Sequence, residues 1–174
     1  MYWILRSFLD EEQALLITLM LLSMPLSYLL SVLRNKYLIL AVSIISSVIF
    51  QSLMFGGEKY ILWAQQHVVY LILKFAPRNQ VGMIVMAETF INLAIIQIRR
   101  MYISYGVNGV DITGILMMQT FLYVGLAYNY QNGLKPDEAL SEGALKRRVK
   151  DLPDYLTYIG YCFFLPASLV GPVF

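Results

Sequence analysis

The sequence predicts an all-α polytopic membrane protein. About five transmembrane helices, a bent C-terminal helix and one amphipathic surface helix are expected in a single membrane domain covering residues 1–174. Three observations lead there. Hydrophobic residues make up 59% of the chain and charged residues 14%, with a mean hydropathy of +0.63, whereas a soluble domain is roughly half apolar and a quarter charged. The apolar residues fall into runs of span length separated by breakers. Lys and Arg gather on alternate connections between those runs.

Residues 14–33 form the first run, which closes at Arg34 and Lys36; Pro25 in its middle is expected to kink it. Ahead of it, Tyr2 and Trp3 suit headgroup depth, and Asp10, Glu11 and Glu12 replace the basic start of a cleavable signal peptide, so the first span is expected to be retained. Residues 37–55 form the second run and end at Gly56-Gly57. The third, 60–76, carries Gln65, Gln66 and His67 and ends at Pro77 and Arg78. The fourth, 81–98, contains Glu88, Asn92 and Gln97 and meets Arg99-Arg100 as a stop. After a bent re-entry at 101–110, the fifth run covers 112–130.

Residues 131–154 are the long polar loop. Within it, 136–150 are expected to make one surface helix, with Asp137 and Glu138 at its start and Lys146, Arg147 and Arg148 near its end. Nine of the thirteen basic residues lie at 34/36, 74/78 and in this loop, so that side is expected to be cytoplasmic and the N-terminus to lie on the far side.

The charge of +2 gives no reason to expect nucleic acid as a partner. Cys162, the single cysteine, excludes an intrachain disulfide, cannot make a metal site alone, and is expected to be a buried, inert packing residue. No chemistry motif is complete: there is no Gly-rich phosphate loop, no paired-histidine metal spacing and no Ser-His-Asp order to argue, so no metal-ligating residues are expected. His67 and Glu88 stand out because ionisable groups inside spans are rare and costly. They lie at similar distances from the 77–80 turn, so an antiparallel pair of helices would bring them to nearly one depth. Such a pair would line an internal cavity or glue two helices, with Gln65, Gln66 and Asn92 as alternative partners.

Two stretches resemble membrane-bound O-acyltransferases of the lysophospholipid acyltransferase branch. One is "YGVNGVDITGILMMQTFLYVGLAYNYQNG", where Asp111, Thr113, Gly114, Met117, Ala127, Asn129, Tyr130 and Gly133 carry the match. The other is "LPDYLTYIGYCFFLPASLVGPVF", matched at Pro153, Gly160, Tyr161, Phe163, Phe164, Pro166, Gly171, Pro172 and Phe174. The resemblance implies a structural or chamber-wall role for Asp111, Asn129, Gly133, Pro166, Gly171 and Pro172. It also implies that acyl-CoA is the parent family's co-substrate, with no cofactor bound by this segment. Gly-Pro-x-Phe is a waypoint in that family, and the catalytic histidine follows it, so the catalytic half is expected outside these residues and His67 does not take that role. The expected partners are therefore membrane lipids and the missing C-terminal half. The alternative is a truncated, non-catalytic structural subunit held among other membrane subunits. The implied location is the endoplasmic reticulum, with the mitochondrial inner membrane as the alternative for a subunit of a complex. The segment "FFLPASLVGPVF" should bend a helix running over 155–165 at Pro166, since proline removes a backbone donor.

Overall fold

A computed structural model describes residues 11–32, 35–103, 112–137 and 140–163. Among them the order is α1 (Glu11–Val32), α2 (Lys36–Phe55), a 3-10 turn (Gly56–Glu58), α3 (Lys59–Phe75), α4 (Val81–Ile103), α5 (Ile112–Asn132), α6 (Glu142–Arg147) and α7 (Tyr155–Cys162), with no strand. The all-helical class is borne out. Two helical stretches, Lys36–Phe75 and Val81–Ile103, are long and apolar enough to cross a membrane.

The connections follow from local chemistry. Asn35 caps α2 by accepting from the Tyr37 amide at 3.1 Å, which satisfies one of the free donors of a helix start. Gly56 ends α2 at φ 50°, a conformation costly for any residue with a Cβ. The turn it makes folds α3 back on α2. Lys59 Nζ reaches Ser52 Oγ at 3.0 Å, and Trp63 Nε1 donates to Gln51 Oε1 at 2.9 Å. Ala76 leaves α3 in an extended conformation because Pro77 follows it.

Several expectations need correction. Arg99 and Arg100 do not stop α4, which runs on to Ile103. Arginine is a good helix former, and both side chains find partners at the helix end: Arg99 on Glu58 at 3.2 Å, Arg100 on Thr113 at 3.4 Å. The surface helix is not 136–150 but the six residues Glu142–Arg147. Ser141 caps it and Arg148 turns extended, tied to the Asp137 carboxylate, so the chain spends 148–150 on contacts elsewhere. α1 remains helical through Pro25. α7 closes at Phe163; the bend expected at Pro166, the segment at 1–10 and the re-entry up to residue 110 lie outside the described residues.

Packing places α4 and α5 in the most intimate pairing, with α3 against α4 and α7 against both α2 and α3. Two apolar clusters result. Leu62, Ile96, Ile115 and Leu116 gather with Phe50 and Phe55 at the Gly56 end. Val69, Leu73, Val81, Val85, Tyr123 and Ala127 gather with Tyr158 and Cys162 at the other. Gly160 lets α7 approach α2, since a Cβ there would meet Leu40.

Candidate functional site

Between the two apolar clusters lies a layer of buried polar side chains. α3 supplies Gln65 and Gln66, between Leu62 and Val69, about 10 Å apart along the helix at 1.5 Å per residue. α4 supplies Thr89, with half-buried Glu88 and Asn92 beside it, between Val85 and Ile96. α5 supplies Gln119 and Thr120, between Leu116 and Tyr123. Gln65, Gln66, Gln119, Thr89 and Thr120 are all under 5% exposed.

The layer is partly self-satisfied. Asn92 Nδ2 donates to Gln65 Oε1 at 2.7 Å, joining α4 to α3. The Tyr123 hydroxyl donates to Gln119 Oε1 at 3.1 Å, with the Gln66 amide beside it. The Tyr158 hydroxyl donates to the Gln66 carbonyl at 3.0 Å and so docks α7 on α3. Thr89 and Thr120 return their protons to carbonyls of their own helices. Among the described residues both amide atoms of Gln66, the Nε2 of Gln65 and of Gln119, and one Glu88 oxygen have no hydrogen-bond partner. Unpaired buried polar atoms cost about 1–3 kcal/mol each.

His67 and Glu88 line different cavities. The Gln65–Asn92 bond puts one face of α3 against α4, and His67 lies two residues, about 200°, round the helix. Its Nδ1 is 2.6 Å from the Trp63 carbonyl and its ring 5.9 Å from that of Tyr155, in a cavity of about 230 Å³ that also touches Val48 and Phe163. Glu88 lines a separate cavity with Gln65 and Asn92.

The second feature is a knot at the 77–80 turn. Arg78 donates through Nε to the Tyr130 carbonyl at 3.1 Å and through Nη2 to the carbonyls of Val149, at 3.1 Å, and Lys150, while its guanidinium stacks 4.2 Å from the Tyr130 ring centroid. Gln131 grips the same turn from α5, accepting from the Gly82 amide at 3.1 Å and donating to the Asn79 carbonyl at 2.7 Å. The Asn129 carbonyl accepts from the Val149 amide at 3.0 Å. Gly133 sits where a Cβ would collide with the Val149 carbonyl and Arg78. Asn129 and Gly133 thus belong to one junction of α3, α4, α5 and the polar loop; Asp111, Pro166, Gly171 and Pro172 lie outside the described residues.

Sequence reading missed Gln119 and Tyr123, although a glutamine and a tyrosine four apart in an apolar run share a helix face. It also took Arg78 for a mere stop charge. Nothing local could have shown otherwise, because its partners on the polar loop are 71 and 72 residues away.

Known proteins now bear on the reading. No family model and no solved structure matches the chain. Over 67 residues it is 36% identical to lysophospholipid acyltransferase 2 of Arabidopsis thaliana, covering 38% of this chain and 14% of that protein. Over 70 residues it is 33% identical to the lysophospholipid acyltransferase of Schizosaccharomyces pombe, covering 40% and 14%. This chain is related in sequence to lysophospholipid acyltransferases. A likeness to lysophospholipid acyltransferase 6 of Drosophila melanogaster is weaker but longer, 24% over 120 residues, 68% of this chain and 17% of that protein. The resemblance read from the motifs is borne out. The matched stretches amount to less than a fifth of each relative's length.

Proposed function

We propose that this chain forms part of the membrane chamber of a lysophospholipid acyltransferase, which moves an acyl group from acyl-CoA to a lysophospholipid hydroxyl. The observation that carries the reading is the 33–36% identity to proteins of that name; the buried polar layer supports it, because a chamber for a polar headgroup needs hydrogen-bonding groups at membrane depth. In this reading α1 to α5 all cross the bilayer of the endoplasmic reticulum, and 131–154 lie on its cytoplasmic face. Membrane lipids and the catalytic part of the enzyme are its partners, and acyl-CoA binds outside this segment. The general base comes from residues other than these, since His67 faces the aromatic cavity at Tyr155 and matches no catalytic motif of the family.

The 174-residue chain, purified in detergent, is therefore expected to show no transfer from labelled acyl-CoA to a panel of lysophospholipids. Turnover above a no-protein control that His67→Ala abolishes would overturn this assignment. The intact mass of the natural protein separates an enzyme, at two to three times 19.9 kDa, from a non-catalytic subunit near that mass.

Topology has its own test. Glu142 is exposed next to the Ser141 cap. A Glu142→Cys variant with Cys162 replaced is expected to react with an impermeant maleimide in sealed microsomes. Protection until the membrane is opened would place the loop on the lumenal side.

A further inference from the structure

His67 stands with Trp63 on the face of α3 that meets α2 and α7, its ring 5.9 Å from that of Tyr155. The Trp63 carbonyl oxygen, 2.6 Å from His67 Nδ1, can only accept, so Nδ1 carries the proton. In the neutral ring Nε2 is then an acceptor, and it has no hydrogen-bond partner among the described residues. The bond to a carbonyl one turn back directs Nδ1 toward the helix and Nε2, across the ring, away from it. His67 is exposed and lines the cavity of about 230 Å³ between α2, α3 and α7, so this outer edge is the one the cavity meets.

The setting narrows the ligand. His67 lies about 12 Å inside the C-terminal end of α3, within the stretch Lys36–Phe75 that is apolar enough to cross a membrane. Hydrocarbon holds no water to pair with Nε2 there, and an unpaired polar atom is costly. The other walls are apolar or aromatic, and the Trp63 indole N–H is already spent on Gln51. A hydroxyl gives Nε2 its donor and brings no charge. An ammonium would bring a charge with no carboxylate among the lining residues to meet it, and an ionised carboxylate has no proton to give. Tyr155 and Leu156 are 38% and 50% exposed, so the cavity opens outward along α7. Its volume is roughly eight times a water's ~30 Å³, room for a hydroxyl and the first part of an alkyl chain. No second imidazole lines it either, so an alcohol there is held rather than attacked.

We infer that this cavity binds a neutral lipid alcohol drawn from the bilayer, its hydroxyl donating to His67 Nε2 and its chain lying against Val48, Leu156, Ile159 and Phe163. The site stands on α2, α3 and α7 and does not depend on the acyltransferase reading. Membranes carrying the protein are photolabelled with a diazirine-bearing long-chain alcohol, and the labelled peptides are mapped. Label is expected within 63–67 and 155–163. An unlabelled alcohol is expected to compete about fivefold better than its methyl ether, which accepts but cannot donate, or than the alkane of the same chain. In His67→Phe, which keeps a ring and loses the acceptor, alcohol and ether are expected to compete alike. Equal competition by the ether on the unaltered protein, preference for the alkylamine, or an unlabelled cavity, as one filled by another part of the enzyme would be, each overturns the proposal. A preference for the alcohol that survives in His67→Phe overturns the assignment to Nε2. The main competition is read on the unaltered protein, so misfolding of the variant does not obscure it.

Discussion

Arg78→Ala is expected to detach the polar loop from the helical bundle and to cost on the order of 2–4 kcal/mol, since hydrogen bonds from charged donors are worth about 1.5–3 kcal/mol each and these are only partly buried. The guanidinium holds three carbonyls, from Tyr130, Val149 and Lys150, and stacks on the Tyr130 ring. Removing it leaves the Val149 carbonyl and the end of α5 without their shared donor. Arg78→Lys should recover little, because an ammonium lacks the planar fork that serves carbonyls on two segments. Thermal unfolding in detergent measures the loss. Trypsin cleavage after Lys146 to Lys150 gives a local readout and should quicken in both variants. A variant as stable and as resistant as the parent would mean that the junction is not held by Arg78.

Tyr158→Ala should cost about 3–5 kcal/mol, the range for deleting a large buried aromatic side chain. Tyr158 is 1% exposed, packs beside Tyr70 with ring centroids 5.1 Å apart, and bonds the Gln66 carbonyl. α7 has only eight residues, too few to hold a helix by propensity. Its position rests on Tyr158, on Gly160 against Leu40, and on the Phe163 carbonyl that accepts from Ser47. Tyr158→Phe keeps the ring and loses the hydroxyl, so it should cost about 1 kcal/mol. The difference between the two in melting temperature separates packing from hydrogen bonding. Equal losses would mean that the hydroxyl, not the ring, anchors α7.

The helices were legible because their signals are local. Apolar runs and the breakers at Gly56, Pro77 and Gly133 act within a few residues, and the observed ends of α2, α3 and α5 fall within two residues of the sequence reading. The surface helix was misread because acidic and basic residues at suitable spacing across 136–150 look helical in isolation. In the fold, Val149 and Lys150 give their carbonyls to Arg78, and the Val149 amide goes to Asn129. That competition is tertiary and leaves no local trace. The site was half legible for the same reason. Gln65, Gln66, Glu88 and Asn92 were visible as polar residues in apolar runs, whereas their sorting onto faces required the helix packing. One observed bond, Asn92 to Gln65, fixes the register that separates His67 from Glu88.

The polar layer gives the central claim its sharpest handle. Gln66 holds two buried amide atoms without a hydrogen-bond partner among the described residues, so Gln66→Leu should leave stability unchanged or raise it by about 1–2 kcal/mol. Gln119→Leu, by contrast, would orphan the buried Tyr123 hydroxyl and cost stability. A layer kept for a lipid headgroup should lose function with Gln66→Leu. The deciding measurement is the rate of acyl transfer from acyl-CoA to lysophospholipid in membranes containing the natural protein, with and without Gln66→Leu. The account predicts transfer by the parent and at least a roughly tenfold lower rate in the variant at equal or higher stability. No transfer by the parent above membranes lacking the protein, or a rate the substitution leaves unchanged, would contradict it.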